Sequence, residues 1–224
     1  MKKKWHVNFS DWRASVVRES FGLTSVDRSP SLAAWLGGLQ AEVPSQYGHL
    51  LETMRSSLKQ RHFSWNEYEL MAGFIAPILT LVSFADQKYN MFHQRTLVLE
   101  ENGQKAEGKV DGVVAFGIDT PEIPFFFLHE YKKSQGTDAD PEGQLLIAMV
   151  AAQRLNADGQ PLYGCYVIGK FWHFVLLEGQ TYSVSQGYDA TDAGELRIIW
   201  SVLVHTKQLI EERVRQILET ESDA

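Results

Sequence analysis

Asp111, Glu130 and Lys132 stand near the ends of two neighbouring apolar stretches, Lys109-Val110-Asp111-Gly112-Val113-Val114 and Phe125-Phe126-Phe127-Leu128-His129-Glu130-Tyr131-Lys132-Lys133. Charge in such strands is costly to bury unless something compensates it. A divalent cation compensates two carboxylates with a lysine beside them. Mg²⁺ prefers octahedral oxygen coordination and is usually held by one or two carboxylates, with waters and substrate phosphate completing the shell. Asp111 and Glu130 supply such carboxylates, and the carbonyl of Tyr131 between the charged residues adds a third oxygen. A cation held there lowers the pKa of a bound water and neutralises charge growing on a phosphate. Lys132 would orient that water or stabilise the developing charge. The chemistry expected of this set is phosphodiester hydrolysis with Mg²⁺ or Mn²⁺.

These side chains meet only if their strands pair in one register. A strand over 96–101 runs into Asn102-Gly103, a strong hairpin signal. A second strand covers 104–116, a Gly, Asp and Pro loop covers 117–124, and a third strand covers 125–133. If Phe116 faces Phe125, the antiparallel count sets Asp111 opposite Glu130, with Cβ atoms roughly 5 Å apart. Lys132 then shares their face, and a slip of one residue would separate the acids.

Helices are expected around this meander. Ser64-Trp65-Asn66-Glu67 reads as a capping box ahead of Leu70, Phe74, Ile78 and Leu81 at helical spacing. Pro77 should kink this helix or end its first segment. The opposite stripe, Glu69, Ala72, Gly73 and Ala76, is small enough for Glu69 to press against the sheet. After a polar loop over 134–140, Asp140 caps a helix that has Pro141 at its first position. Its buried stripe is Leu145, Ala148, Met149, Ala152 and Leu155. Strands over 163–168 and 171–178 follow, joined by the Gly169-Lys170 turn, with a short strand over 181–185. Before all of these, short helices are expected over 11–21, 31–40 and 47–60. At the far end, Asp192 and Glu195 open an apolar helical repeat of nearly thirty residues, roughly 40 Å long. That helix either packs across the domain or projects from it as a homodimer contact.

The expectation is an α/β domain with a central mixed sheet of about five strands and helices on both faces. Residues 1–62 form an N-terminal helical segment, 63–190 the core, and 191–224 the long C-terminal helix. With 224 residues and 44% hydrophobic content, a sizeable core can form. A net charge of −7 counts against a protein that coats nucleic acid through a broad basic surface. It leaves room for a small local phosphate site. The one cysteine, Cys165, excludes an intramolecular disulfide and a thiolate metal cluster, and it reads as a buried, inert thiol. The N-terminus, with Lys2, Lys3 and Lys4, lacks a signal-peptide apolar segment, and the longest apolar run, 73–85, is interrupted by Pro77. A soluble, cytoplasmic protein with no membrane partner is expected.

Gly108-Lys109-Val110-Asp111 with Glu130-Tyr131-Lys132 resembles the PD-(D/E)XK, or restriction-endonuclease-like, nuclease superfamily. The order of helix, three-strand meander, helix and strand covers about half the chain. The segments 66–79 and 126–132 also look like an uncharacterised bacterial group within that superfamily. The resemblance implies a mixed sheet flanked by helices, Mg²⁺ or Mn²⁺ as cofactor, and DNA or RNA as partner. It implies metal ligation by Asp111 and Glu130 and a catalytic role for Lys132. An acid on the preceding helix often joins the metal site in this superfamily, and Glu69 is the candidate here, with Glu67 behind it. Some members carry a glutamine followed four residues later by tyrosine on the next helix. Gln144 matches the first and Ala148 replaces the second, so only Gln144 is left to touch substrate or a metal-bound water. Val110 stands where the motif has proline. A catalytically idle binding or assembly module with the same fold is the alternative.

Other signals are weaker. His129-Glu130 begins like a zincin motif, but Lys133 occupies the second histidine's place. The six tryptophans are scattered in apolar patterns and read as core rather than base-stacking platforms. Lys132 and Lys133 could make a small basic patch with Lys170 and Lys88.

Overall fold

The computed structural model describes residues 5, 7–27, 29–134 and 140–222. The N-terminal lysines and most of the expected 134–140 loop lie outside the described residues. A 3-10 turn, Phe9–Asp11, leads to helix α1, Ala14–Phe21, and the two-residue strand β1, Thr24–Ser25. Helices α2, Pro30–Gly37, and α3, Ser45–Arg61, follow. Next come α4, Glu67–Leu70, a π turn, Met71–Ile75, and α5, Ala76–Val82. A meander of β2, Tyr89–Glu101, β3, Gln104–Phe116, and β4, Glu122–Lys132, leads into α6, Pro141–Asn156. Strands β5, Leu162–Ile168, β6, Phe171–Glu178, β7, Thr181–Val184, and β8, Tyr188–Asp189, precede the final helix α7, Ala193–Ser222.

The eight strands form one mixed sheet in the order β1-β7-β6-β5-β4-β3-β2, with β8 paired to β6. The expected count of about five was low. β1 and β8 are two-residue strands, too short to carry any periodicity. β2 also starts seven residues before the expected Thr96, at Tyr89. Parallel pairing joins β4 to β5, the two being connected through α6. The Asn102-Gly103 turn is left-handed at both residues, with φ of 53° and 73°, as a two-residue hairpin requires.

Two buried clusters lie against the sheet. One gathers side chains of α1, α6 and the segment just before α1, among them Trp12, Phe21, Leu145 and Met149. The other gathers α2, α3, α5 and α7, among them Trp35, Leu58, Ile78 and Leu203. α6 is buried continuously from Leu145 to Ala152 instead of along a stripe, because α1 covers the side that the sheet does not. Leu155, expected in the stripe, is 40% exposed. Asp140 caps α6 by accepting from Gly143 N at 3.0 Å, and its other oxygen accepts from Ala14 N at 2.9 Å. One carboxylate thus fixes the start of α6 and the approach of α1.

The α3–α4 junction differs from expectation. The capping box is built by Asn66 and Glu69, with Glu69 N to Asn66 Oδ1 at 2.9 Å and Asn66 N to Glu69 Oε2 at 2.8 Å. Ser64 instead donates its hydroxyl to Arg61 O at 3.0 Å. Pro77 sits in the first turn of α5, just after the π turn, where its missing N–H costs least. At the C-terminal end, Asp192 Oδ1 accepts from Glu195 N at 2.9 Å, while the Glu195 carboxylate turns to Asp189 N at 2.5 Å. α7 packs across the domain as far as Leu218, with Val214 buried and Ile217 and Leu218 half-buried against the core. Arg213 on α7 pairs with Asp158 and lies over the Phe126 ring at 5.2 Å. No helix among the described residues is long and apolar enough to cross a membrane.

Candidate functional site

β3 and β4 pair as Val114↔Phe127, Val113↔Leu128 and Gly112↔His129. One further step in that register brings Asp111 beside Glu130. The expected Phe116–Phe125 facing is not made. Phe125 opposes Ala115 and Phe116 opposes Glu122, across two register shifts. Those irregularities fall beyond Val114, so the register at the acids is the one expected from the sequence.

Three of the expected residues are brought together. Lys132 Nζ lies 2.6 Å from Glu130 Oε1, with both side chains almost buried, at 12% and 10% exposure. Asp111 Oδ2 accepts from Tyr131 N at 3.1 Å, and its Oδ1 accepts from Gln94 Nε2 at 2.8 Å. The Asp111 side chain therefore takes the amide of Tyr131, the residue between Glu130 and Lys132. Burial, and then the charge of Asp111, push the Glu130 carboxyl up to about 8 against the pull of Lys132. Burial works against the Lys132 ammonium. Glu130, by charge and hydrogen bond, and then Asp111 outweigh it and hold the lysine above its ordinary value. The Tyr131 phenol is raised by burial and by the same two acids.

Glu69, expected at the sheet, is exposed and occupied by its capping box. The acid on this helix whose charge reaches the site is Glu67, which acts on both Lys132 and Tyr131. The two-residue difference has a simple cause: moving the cap from Ser64 to Asn66 changes which carboxylate faces inward. Gln94 was not foreseen at all. It sits in mid-strand with φ of 52°, a left-handed kink that no residue pattern announces and that sets its amide on Asp111.

Gln144 meets the site only at Glu130, in a cleft that neither Asp111 nor Lys132 lines. With Glu130 it lines this cleft of about 300 Å³, whose other walls include Asn8, Ser10, Glu107 and Lys109. Among the described residues its Oε1 is buried without a hydrogen-bond partner. Gly108 lets the Phe9 turn close one wall, since a Cβ there would lie 2.5 Å from Phe9.

His129, on the strand position before Glu130, projects to the opposite face and is 2% exposed. Gly112 makes room for it, for a Cβ at Gly112 would fall 1.8 Å from His129 Nε2. Its ring lies 5.9 Å from that of His93, and neither ring nitrogen has a partner among the described residues. Burial, and then His93, lower its pKa to about 3, so it is neutral. Cys165 is buried and burial raises its thiol. Trp12, Trp35, Trp172 and Trp200 are core residues, as expected. Lys170 is committed to Asp189 at 2.5 Å rather than to a shared basic patch.

No group of three or more His, Cys, Asp or Glu side chains among the described residues is disposed to hold a metal ion. The available oxygens are two carboxylates and main-chain carbonyls, a set that suits Mg²⁺ or Mn²⁺ completed by water and does not suit zinc. No protein-family model matches the sequence, and no match to a curated protein is found.

Proposed function

We propose that the protein is a Mg²⁺- or Mn²⁺-dependent phosphodiester hydrolase acting on DNA or RNA, with a restriction-endonuclease-like core of the PD-(D/E)XK type. The observation that carries this reading is the burial of Glu130 beside Asp111, with Lys132 at 2.6 Å as the counter-charge bonded to it among the described residues. A buried acid with a second, part-buried acid beside it is short of positive charge, which a divalent cation supplies. Asp111, Glu130 and the carbonyl of Tyr131 would hold it. When bound, the cation acidifies water and stabilises charge on a phosphate. Lys132, held protonated, serves as a donor rather than a base. It orients the attacking water and stabilises the growing negative charge. Glu67 reinforces the charge on Lys132 from the helix side. The unpartnered Gln144 oxygen offers an acceptor on the cleft wall. The run of helix, antiparallel meander, crossover helix and parallel strand supports the fold assignment.

The direct test is cleavage of mixed single- and double-stranded DNA and RNA with Mn²⁺, comparing wild type with Lys132→Ala. Wild type should cut and the variant should lose at least about a hundredfold in rate, in line with removal of a charge-stabilising donor. If neither cuts any substrate while both remain folded, the hydrolase reading falls. A second reading, an idle module that keeps the fold without turnover, is favoured by Ala148 in place of an aromatic after Gln144 and by the acidic net charge of −7. Metal binding without cleavage would select it.

A further inference from the structure

Two aromatic side chains beside the candidate site face solvent far more than such residues usually do. Phe63 is 70% exposed and Tyr68 is 73% exposed. They lie five residues apart at the junction of α3 and α4. That junction is tied to the strand end that carries the site. Ser134, two residues past Lys132, donates its hydroxyl to the carbonyl of His62 at 2.7 Å. The His62 ring backs that of Phe63, with centroids 3.9 Å apart. Tyr68 adjoins Glu67, whose charge acts on Lys132. A third ring, Phe171, is 41% exposed and has the Lys170 ammonium 4.9 Å from its centroid. It is held at the same sheet end by the hydrogen bond from Gly169 N to Lys132 O at 2.9 Å. The segments that carry Phe63 and Phe171 are thus both tied to the end of the parallel strands β4 and β5, with Tyr68 on the helix that follows Phe63, in the region where open α/β sheets commonly bind ligands.

We propose that Phe63 and Tyr68, with Phe171 beyond them, are stacking platforms for unpaired bases, so that the site takes single-stranded nucleic acid. The proposal rests on the phosphodiester reading of Asp111, Glu130 and Lys132. Stacking on exposed rings tolerates any sequence because every base has a π face, and a duplex hides those faces. The charge of the molecule points the same way. A net charge of −7 argues against a broad basic surface, and Lys132 and Lys170 are engaged with Glu130 and Asp189. Affinity must then come from the rings more than from phosphate neutralisation.

The experiment is binding of a fluorescent oligothymidine, and of a duplex of the same length, in EDTA, with cleavage measured separately in Mn²⁺. The proteins are wild type, Phe63→Ala and Tyr68→Ala. Both side chains are exposed, so both variants should keep the wild-type melting temperature. Wild type should prefer the single strand, and each variant should weaken that binding at least about fivefold, the lower end for one lost stack. The slope of log affinity against log salt should be shallower than about −2, equivalent to fewer than three phosphate contacts. Equal affinity for duplex, unchanged affinity in both variants, or no binding of oligothymidine overturns the proposal. If wild type cuts nucleic acid and the variants bind normally, the stacking proposal fails alone. If binding behaves as described but nothing is ever cut, the hydrolase reading fails and the stacking surface stands.

Discussion

Replacing Gly112 by alanine tests how the strands that carry the acids are held together. The Gly112–His129 pair is the last backbone pairing before Asp111 and Glu130. An added Cβ would lie 1.8 Å from Nε2, 2.2 Å from Cε1 and 2.6 Å from Cδ2 of His129. The obstacle is a flat ring, 2% exposed, with Phe127, Tyr131 and His93 all within 6.3 Å between centroids. The ring is buried among these neighbours, so the strands must part or the ring must leave its rotamer. Overpacking of this kind typically costs about 1–3 kcal/mol, and a rigid obstacle places Gly112→Ala at about 3 kcal/mol. For a chain of 224 residues that lowers the melting temperature by roughly 6–12 °C. The assay is urea and thermal unfolding of Gly112→Ala, His129→Ala and the double variant. Removing the ring makes the space that the new methyl needs, so the two changes should couple by at least about 2 kcal/mol in the favourable direction. Gly112→Ala costing less than about 1 kcal/mol, or strict additivity in the double variant, would refute the packing argument.

Other outcomes follow from the same geometry. Asp140→Ala removes both the α6 cap and the bond to Ala14 N, and should destabilise by about 1–2 kcal/mol in urea unfolding, with Asp140→Asn retaining part of the stability. For Asp189, burial raises the pKa, yet hydrogen bonds from Lys170 and Thr191 outweigh it and leave it lowered. A carboxylate with a depressed folded pKa contributes stability above its unfolded value of about 4, and that contribution is lost as pH falls through the folded value. Asp189→Asn should therefore melt below wild type at neutral pH, and the gap should close in a pH series taken down below about 4. A gap that stays constant with pH would assign the loss to packing alone.

Much of the site could be read from the sequence because its determinants are local. Short apolar runs fix β3 and β4, and Asn102-Gly103 fixes the hairpin that starts the meander. The register at the acids could be counted even though Phe116 does not face Phe125, because the bulged step lies on the far side of Val114. What stayed hidden depends on backbone detail. Ser64 and Asn66 both precede a glutamate by three residues, and only the folded turn distinguishes them, which is why Glu67 replaces Glu69 near the site. Gln94 acquires its place from one left-handed residue in a strand. The continuous burial of α6 depends on α1, which lies far away in sequence. The tryptophans could be assigned to the core from their apolar neighbours. The exposure of Phe63 and Tyr68 could not be, since neither sits in a pattern that fixes a face.

The most direct test of the central claim is calorimetric titration of Mn²⁺ into metal-free wild type, Asp111→Asn and Glu130→Gln. Two acids gathered around one cation predict a saturable site in wild type that both variants lose while keeping their cooperative unfolding. Equal binding by all three proteins, or none by wild type at millimolar Mn²⁺, would contradict the account.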